Sequence, residues 1–557
     1  MATTFSPVAG GALPSTMSDL PLSIRTIFEH AIRSHPRKQI ISRDGGQVLR
    51  FTYAEFGKRV AKLANALRTL GVQPGDRIAS FAWNGHRHLE LYYAVPMIGA
   101  VLHTVNIRLF PDQIAFVLEH AGDTTVFYDG SLTKLIKAAA ALQPDSGRTF
   151  VQMGASPEPF EGALDYETLM TPEPDTYEWP EIDERAAALL CYTSATTGDP
   201  KGVLFSHRST FIHALASGLA DALGISERDR VLPIVPMFHV NAWGTPFLAL
   251  MAGADFIMPM ERLDPAGVIE MCEQERVTLS AGVPTVWMAV RDVLKAQGKK
   301  LPSLTRVVIG GSAMPTSLMD DLNALGIDAI HAWGMTEMSP IGTVSRDIAE
   351  LASDPGMQKR ERYKQGRFSP IVQWRVVDEH GNDVPADGVS RGELLVRGYA
   401  VAKSYYNNEL ANRSAFEPDG FFHTGDVVTV DEYGYMEIVD RVKDFIKSGG
   451  EWISSVEVEN VLMGHPSVKE ACVFGIPHPK WQERPVAAVV LREGENADED
   501  AIRGWLGDKL AKWQTPDRVV FLDAIPRTGV GKFLKRDLRE RYNALFADAD
   551  STGTRGG

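Results

Sequence analysis

From residue 23 onward, stretches with helical hydrophobic spacing alternate with short apolar runs. Positions 24–34 and 53–70 repeat apolar residues every three to four places, the second stretch ending at Gly71, and predict amphipathic helices. Runs 77–83, 100–106 and 125–128 read as strands, with helical spacing at 88–97 and 112–120 between them. Strands alternating with helices predict a parallel α/β sheet. Residues 154–184 are rich in Pro, Glu and Asp and read as a surface excursion. After them come strand candidates at 231–235, 255–259, 279–282, 306–309 and 329–333, with helices at 265–275 and 315–325. From about Gln373 the pattern turns to shorter β-like runs at 374–377, 392–396, 427–430 and 436–439. The charged stretch Asp440-Arg441-Val442-Lys443-Asp444 reads as a hinge, and beyond it lies a compact αβ pattern. The expected organisation is an arm at 1–22, a large domain at 23–440, a small one at 441–549 and a polar tail at 550–557. No internal repeat period is present.

Composition narrows this picture in a few respects. A chain of 557 residues is too long for one hydrophobic core. Apolar residues make up 44% and charged residues 23%, as in ordinary globular proteins. The net charge of −14 and the lack of a long basic block argue against nucleic acid as the main partner. Cys191, Cys272 and Cys472 form no CxxC pair, which fits a reducing compartment and argues against structural zinc. The first 17 residues lack the basic region and apolar core of a secretory signal. Residues 231–254 have His239 as their one ionisable side chain and are long enough to span a bilayer. Pro233, Pro236, Asn241, Gly244, Thr245 and Pro246 interrupt them, so a strand, a loop and a buried helix are expected, in a cytoplasmic chain.

The chemistry concentrates in five stretches. Tyr192-Thr193-Ser194-Ala195-Thr196-Thr197-Gly198-Asp199-Pro200-Lys201-Gly202 lies between the apolar runs 186–191 and 203–205. Short side chains, hydroxyls and a lysine suit phosphate, because backbone N–H groups can approach its oxygens; a plain polar hairpin has the same composition. Lys201 is followed by Gly202, so the GxxxxGK[ST] phosphate loop is absent. Gly310-Gly311-Ser312-Ala313 follows a strand and allows close approach of a flat ligand. His331-Ala332-Trp333-Gly334-Met335-Thr336-Glu337 sets an aromatic face beside oxygen ligands of the kind Mg²⁺ takes. Phe421-Phe422-His423-Thr424-Gly425-Asp426 offers a carboxylate for ribose hydroxyls, and Pro526-Arg527-Thr528-Gly529-Val530-Gly531-Lys532 carries a lysine on a mobile-looking turn. Singly, each has a commonplace structural explanation.

In this order across nearly 350 residues, the five stretches and Asp440-Arg441-Val442-Lys443-Asp444 resemble the adenylate-forming superfamily of acyl-CoA synthetases, luciferases and peptide-synthetase adenylation domains. The segments Pro236-Met237-Phe238-His239-Val240-Asn241-Ala242-Trp243 and Lys447-Ser448-Gly449-Gly450-Glu451-Trp452-Ile453-Ser454 resemble the bacterial medium- and long-chain fatty acyl-CoA ligases and the 3-methylmercaptopropionate-CoA ligases. The resemblance implies an α/β fold with mixed α+β subdomains: a large adenylation domain of layered sheets with a β-barrel-like subdomain, and a small mobile C-terminal α/β domain. It implies an AMP-forming ligase using ATP, Mg²⁺ and coenzyme A, first making acyl-AMP and then acyl-CoA, from a fatty acid or a short thioether acid. The alternatives are an aryl or other acid:CoA ligase, or a slowed acyl-AMP-binding protein. A homodimer is compatible with the resemblance.

By the same resemblance, Thr193, Ser194, Thr196, Thr197, Gly198 and Lys201 belong to the loop handling the β- and γ-phosphates. Glu337, with Thr196, would hold Mg²⁺, and Thr336 would donate to the α-phosphate. Gly311, Ser312, Ala313, Trp333, Gly334 and Met335 would enclose adenine, and Asp426 and Arg441 would take the ribose. Lys532 would bridge carboxylate and α-phosphate during adenylation, with Lys443 as the hinge on which the small domain swings. Ser448, Gly449, Gly450 and Trp452 would line the pantetheine tunnel. His239 would stand near the acid's carboxylate and Trp243 would gate an apolar pocket walled by Val235, Gly282, Val283, Pro284 and Gly310. One departure is Ala195, where the family has glycine; it reads as a tolerated variant or as a brake on adenylation.

Overall fold

A computed structural model describes residues 15–193, 199–448, 451–507, 509–527 and 533–546. The first sheet runs, in spatial order, Leu164–Asp165, Thr149–Met153, Asp123–Asp129, Arg77–Phe81, Val101–Thr104, Ala187–Tyr192 and Gly202–Ser206. Its neighbours are parallel except the last pair, where Ala187–Tyr192 turns back antiparallel into Gly202–Ser206. A second, larger sheet begins with the hairpin Gln47–Thr52 and Gln39–Asp44 and continues in parallel through Asp255–Met258, Arg230–Pro233, Leu279–Gly282, Arg306–Ile309 and Asp328–Gly334. At Asp328–Gly334 the pairing becomes antiparallel and runs on through Ile341–Val344, Gly366–Phe368, Tyr435–Arg441, Phe422–Val430, Gly392–Gly398 and Val372–Val377. This corrects the expectation of a barrel-like subdomain: the late strands extend the sheet in one open order and form no closed barrel. A third sheet, of five strands, comprises Ile446–Ser448, Glu451–Ile453, Val468–His478, Gln482–Leu491 and Arg518–Phe521.

The predicted helices form where the caps support them. Ser23 caps Ile24–Ser34, its Oγ accepting from the Thr26 N–H at 3.3 Å. Thr52 and Glu55 build a reciprocal capping box at the start of Tyr53–Thr69, whose apolar face (Tyr53, Phe56, Val60, Leu63, Leu67) is fully buried. His86–Met97 is buried at every position but Arg87 and packs on strands of both large sheets. Glu90 lies inside that helix with no exposure, and its charge is met by Arg59 at 2.6 Å and the Tyr166 hydroxyl at 2.5 Å. The stretch 231–254 is a strand, a loop and the buried helix Thr245–Ala252. Among the described residues no helix is long and apolar enough to cross a membrane. Several elements have no counterpart in the sequence reading, among them the hairpin at 39–52, the strand Thr149–Met153 and the helices Thr133–Ala140, His207–Ser217 and Pro284–Gln297.

Several histidines are sealed in this core and held neutral. Burial lowers His88, His207 and His331 to about 4 and His213 to about 3. The unfolded chain then binds more protons below the ordinary histidine value near 6.5, so this stability is present above that pH and lost as pH falls. Asp129, pushed up to about 7 mainly by desolvation, works in the opposite direction, as do Glu90, Glu361, Asp440 and Glu459, which burial also raises. Each of the four histidines costs about 1.5 kcal/mol between pH 7 and pH 5, and the urea midpoint is expected to drop over that range. A midpoint that rises or stays level would contradict this balance.

Candidate active site

The chemical motifs gather at the carboxyl ends of the parallel strands, where open α/β sheets form their crevices. Tyr192 ends one strand, and the loop after it is closed at its stem by the Thr193 N–H donating to the Lys201 carbonyl at 2.9 Å. Gly310 and Gly311 follow Arg306–Ile309, and Met335, Thr336 and Glu337 follow Asp328–Gly334. Two of these glycines are required by space. A Cβ on Gly334 would lie 1.8 Å from the Pro340 carbonyl oxygen, and one on Gly310 would lie 2.5 Å from that of Ala332.

Two cavities meet there. One, of about 240 Å³, is lined by Thr193, Lys201, His239, Trp243, Thr336 and Glu337 among others. The other, of about 430 Å³, takes in Ser312, Ala313, Asp426 and Lys443 and reaches the C-terminal residues Glu459, Arg527, Lys535 and Arg539. Gly311, Ala332, Trp333, Gly334 and Arg441 form the wall common to both. At the centre of the wall the Trp333 indole N–H donates to Asp426 Oδ2 at 2.9 Å, while Arg441 Nε lies 3.0 Å from Asp426 Oδ1. The Asp426 carboxylate raises the Arg441 guanidinium above its ordinary value, against the effect of desolvation. One carboxylate thus fixes both the aromatic plane and the cation beside it.

The smaller cavity carries the reactive-looking groups. Glu337 is buried, and its Oε1 accepts from the Tyr405 hydroxyl at 2.6 Å. Burial and then the Glu337 charge hold that phenol protonated, far above its ordinary range. Lys201 Nζ lies over the Tyr405 ring, 4.9 Å from its centre. Trp243 reaches the wall because residues Val240–Trp243 run through positive φ (37°, 56°, 48° and 57°), into Gly244 at 75°. Left-handed backbone costs non-glycine residues about 1–2 kcal/mol each. The run is held by Tyr92 and Cys191 on Asn241 Oδ1, both at 3.3 Å, and by Thr245 Oγ1 on the Ala242 carbonyl at 2.7 Å. Its result is an indole edge that a Cβ on Gly310 or Gly311 would touch, at 3.5 and 3.8 Å.

Among the described residues no group of three His, Cys, Asp or Glu side chains could cage a metal. A single buried carboxylate beside a lysine fits Mg²⁺ that arrives on phosphate oxygens, since that ion takes one or two carboxylates and keeps its other ligands.

Not every expected residue reaches the cavities. Val235, Gly282 and Val283 line neither, while Pro284 belongs to the larger one and Gly310 to the smaller. Ser448 is buried and accepts from Arg484 Nη1 at 2.8 Å, and Trp452 is exposed with Lys447 over its ring; both stand away from the two cavities. Ser194, Ala195, Thr196, Thr197, Gly198, Gly449, Gly450 and Lys532 lie outside the described residues. Tyr405 and the basic pair Lys535 and Arg539 were not legible as site residues. Tyr405 lies 68 positions from Glu337, in a connection with no motif around it.

Comparison with known proteins accords with this geometry. The model of the AMP-binding enzyme family matches residues 28–406, and that of the AMP-binding enzyme C-terminal domain matches residues 457–532. A long-chain-fatty-acid–CoA ligase of Thermus thermophilus is 47% identical over 542 residues, 97% of this chain and 99% of the relative. A 3-methylmercaptopropionyl-CoA ligase of Ruegeria pomeroyi is 44% identical over 534 residues, 94% of this chain and 98% of the relative. Among solved structures, an anthranilate CoA ligase in complex with anthranoyl-AMP superposes with a TM-score of 0.85 at 26% identity, covering 95% of this chain and 99% of that one. With family models covering both its large N-terminal part and its C-terminal part, the chain belongs to the AMP-binding enzymes.

Proposed function

We propose that the protein is an ATP-dependent, AMP-forming acyl-CoA ligase acting on a fatty acid or a short thioether acid such as 3-methylmercaptopropionate. The observation that carries this reading is the shared wall between the two cavities. An acyl-adenylate needs a nucleoside site and an acid site that meet at one phosphate. Here the Trp333–Asp426–Arg441 group stands on the nucleoside side, His239 and Trp243 stand on the acid side, and Lys201 and Glu337 share their cavity as its phosphate end.

In the first step the acid's carboxylate attacks the α-phosphate, and pyrophosphate leaves. Negative charge crowds around phosphorus, so the residues act by positioning and electrostatic stabilisation. Asp426 accepts from the ribose hydroxyls, and Gly311, Ser312, Ala313, Trp333, Gly334 and Met335 enclose the base. Thr336 donates to the α-phosphate, Lys201 and the loop from Thr193 hold the departing phosphates, and His239 stands beside the acid. Mg²⁺, held by Glu337 with Thr196, would neutralise phosphate charge when bound. Lys532 bridges the two anions. In the second step the CoA thiol attacks the acyl carbonyl and AMP leaves.

We divide the chain into a large unit at 23–440 and a small one at 441–549, hinged at Lys443. Support comes from the cores: the clusters around Val458 and around Phe474 begin at Ile446 and draw on no residue before it. A rotation of the small unit separates the demands of the two steps. Three buried thiols with no disulfide support a cytoplasmic location. Trp243 and Val240 make the acid side partly apolar, which suits a flexible chain better than a charged acid.

The test is an acid panel from 3-methylmercaptopropionate to palmitate, with amino acids and dicarboxylates as controls. Release of AMP and formation of acyl-CoA are expected for the apolar acids, with kcat/KM about 100-fold above the controls. Binding without AMP release from any acid would overturn the reading.

A further inference from the structure

We propose that Tyr405 is a positioning residue that holds apart the two opposite charges of the phosphate end, Lys201 and Glu337, so that each stays available to its own part of Mg²⁺·ATP. This rests on the function proposed above and concerns a residue that no motif marks.

Tyr405 meets the two charges with different parts of one side chain. Its hydroxyl donates to Glu337 Oε1 at 2.6 Å, and its ring face accepts the Lys201 ammonium at 4.9 Å from the centroid. Tyr405 thus stands between a cation and an anion of one cavity. Among the described residues no ion pair joins Lys201 to Glu337. The phenol satisfies the anion with a neutral donor, so the carboxylate keeps its full charge. The ring satisfies the cation without neutralising it.

The spacer is itself rigidly placed. Asn412 brackets its backbone, Oδ1 accepting from the Tyr405 N–H at 2.6 Å and Nδ2 donating to its carbonyl at 3.1 Å. Phe416 and Phe422 pack edge-on against the ring, with centroids at 5.6 and 6.3 Å. The flanking backbone grips the same two elements. The Ala402 N–H donates to the Glu337 carbonyl at 2.7 Å, and the Tyr406 N–H donates to the Gly202 carbonyl at 2.8 Å. The segment 402–406 therefore ties the Mg²⁺ carboxylate to the stem of the phosphate loop, and Tyr405 sets the distance between their charges.

The test compares wild type with Tyr405→Phe, which keeps the ring and deletes the donor. Mn²⁺ binding to the complex with a non-hydrolysable ATP analogue is read by electron paramagnetic resonance. Loss of a donor that orients a metal ligand is expected to weaken Mn²⁺ about tenfold. Affinity for the analogue in EDTA is expected to stay within about twofold, because the nucleoside contacts are untouched. In a Glu337→Gln background the same change is expected to leave Mn²⁺ binding unmoved. Unaltered Mn²⁺ affinity in Tyr405→Phe overturns the proposal, as does an equal loss of analogue affinity in EDTA or an undiminished effect in the Glu337→Gln background. The parent reading fails separately: wild type would then bind Mn²⁺ and analogue yet release no AMP from any acid of the panel.

Discussion

Lys532→Ala is expected to slow acyl-adenylate formation, read as pyrophosphate release, by about 10²–10³-fold. Thioester formation from supplied acyl-adenylate is expected to stay within about twofold of wild type. The asymmetry follows from the charges. The first step brings a carboxylate against a polyphosphate, and an ammonium between them offsets a repulsion that the second step, the attack of a thiol on a mixed anhydride, does not meet. Lys532 lies outside the described residues, and the described residues flanking it, Pro526, Arg527, Phe533 and Leu534, pair with one another. Arg527 and Phe533 form an antiparallel bridge, and the Leu534 N–H donates to the Pro526 carbonyl at 2.8 Å. Lys535, three positions on, is held by Glu459 at 2.8 Å and donates to Ser455 Oγ at 2.6 Å. Ser455 in turn donates to Asp440 Oδ2 at 2.7 Å, at the end of a strand of the large sheet. Equal losses in the two half-reactions would show that the substitution disturbs this anchoring instead of the chemistry.

The second large effect is expected from Asp426→Ala, on stability and on nucleotide affinity together. Removing the carboxylate leaves the Trp333 indole N–H without its acceptor and Arg441 without its counter-charge. A fully buried pair broken this way costs about 3–5 kcal/mol. Asp426 is 2% exposed but the Arg441 side chain keeps 37% of its surface in water, so about 2 kcal/mol is the expected loss in urea unfolding. AMP affinity is expected to fall about 10–100-fold, since hydrogen bonds to a charged acceptor are lost with it. Asp426→Asn, which restores a neutral acceptor, should recover part of both. An alanine variant of normal stability and normal AMP affinity would remove Asp426 from the nucleoside site.

Much of the lining of the candidate site was legible because its chemistry is local. Gly310, Gly311, Trp333, Gly334, Thr336 and Glu337 sit on turns directly after strands, and a turn's composition records what it must approach. Asp426 and Arg441 are paired across two adjacent antiparallel strands, so their proximity follows once that hairpin is recognised. Val235, Gly282 and Val283 show where such reasoning stops. They lie at strand ends beside the site, but Trp287 of the unforeseen helix Pro284–Gln297 packs against Gly282, and Val235 joins a separate core cluster. Tyr405 was hidden for the converse reason: its value comes from two partners far away in the chain and from nothing adjacent to it.

Sequence alone determined the local elements and the chemical vocabulary of the loops. Hydrophobic period, cap residues and turn glycines act within a few residues, and so they are written in a few residues. Tertiary structure decided which strand ends converge, that the late strands extend an open sheet, and that one wall is shared by two cavities. Ile40 pairs with Phe256, and the Tyr53 hydroxyl donates to the Ala254 carbonyl, across some 200 positions of chain. Such contacts are selected by the packing of whole layers, and no local pattern specifies them. The spacing of Lys201 and Glu337 around Tyr405 belongs to that second kind of information: charge placement fixed by three segments that meet only in the folded protein.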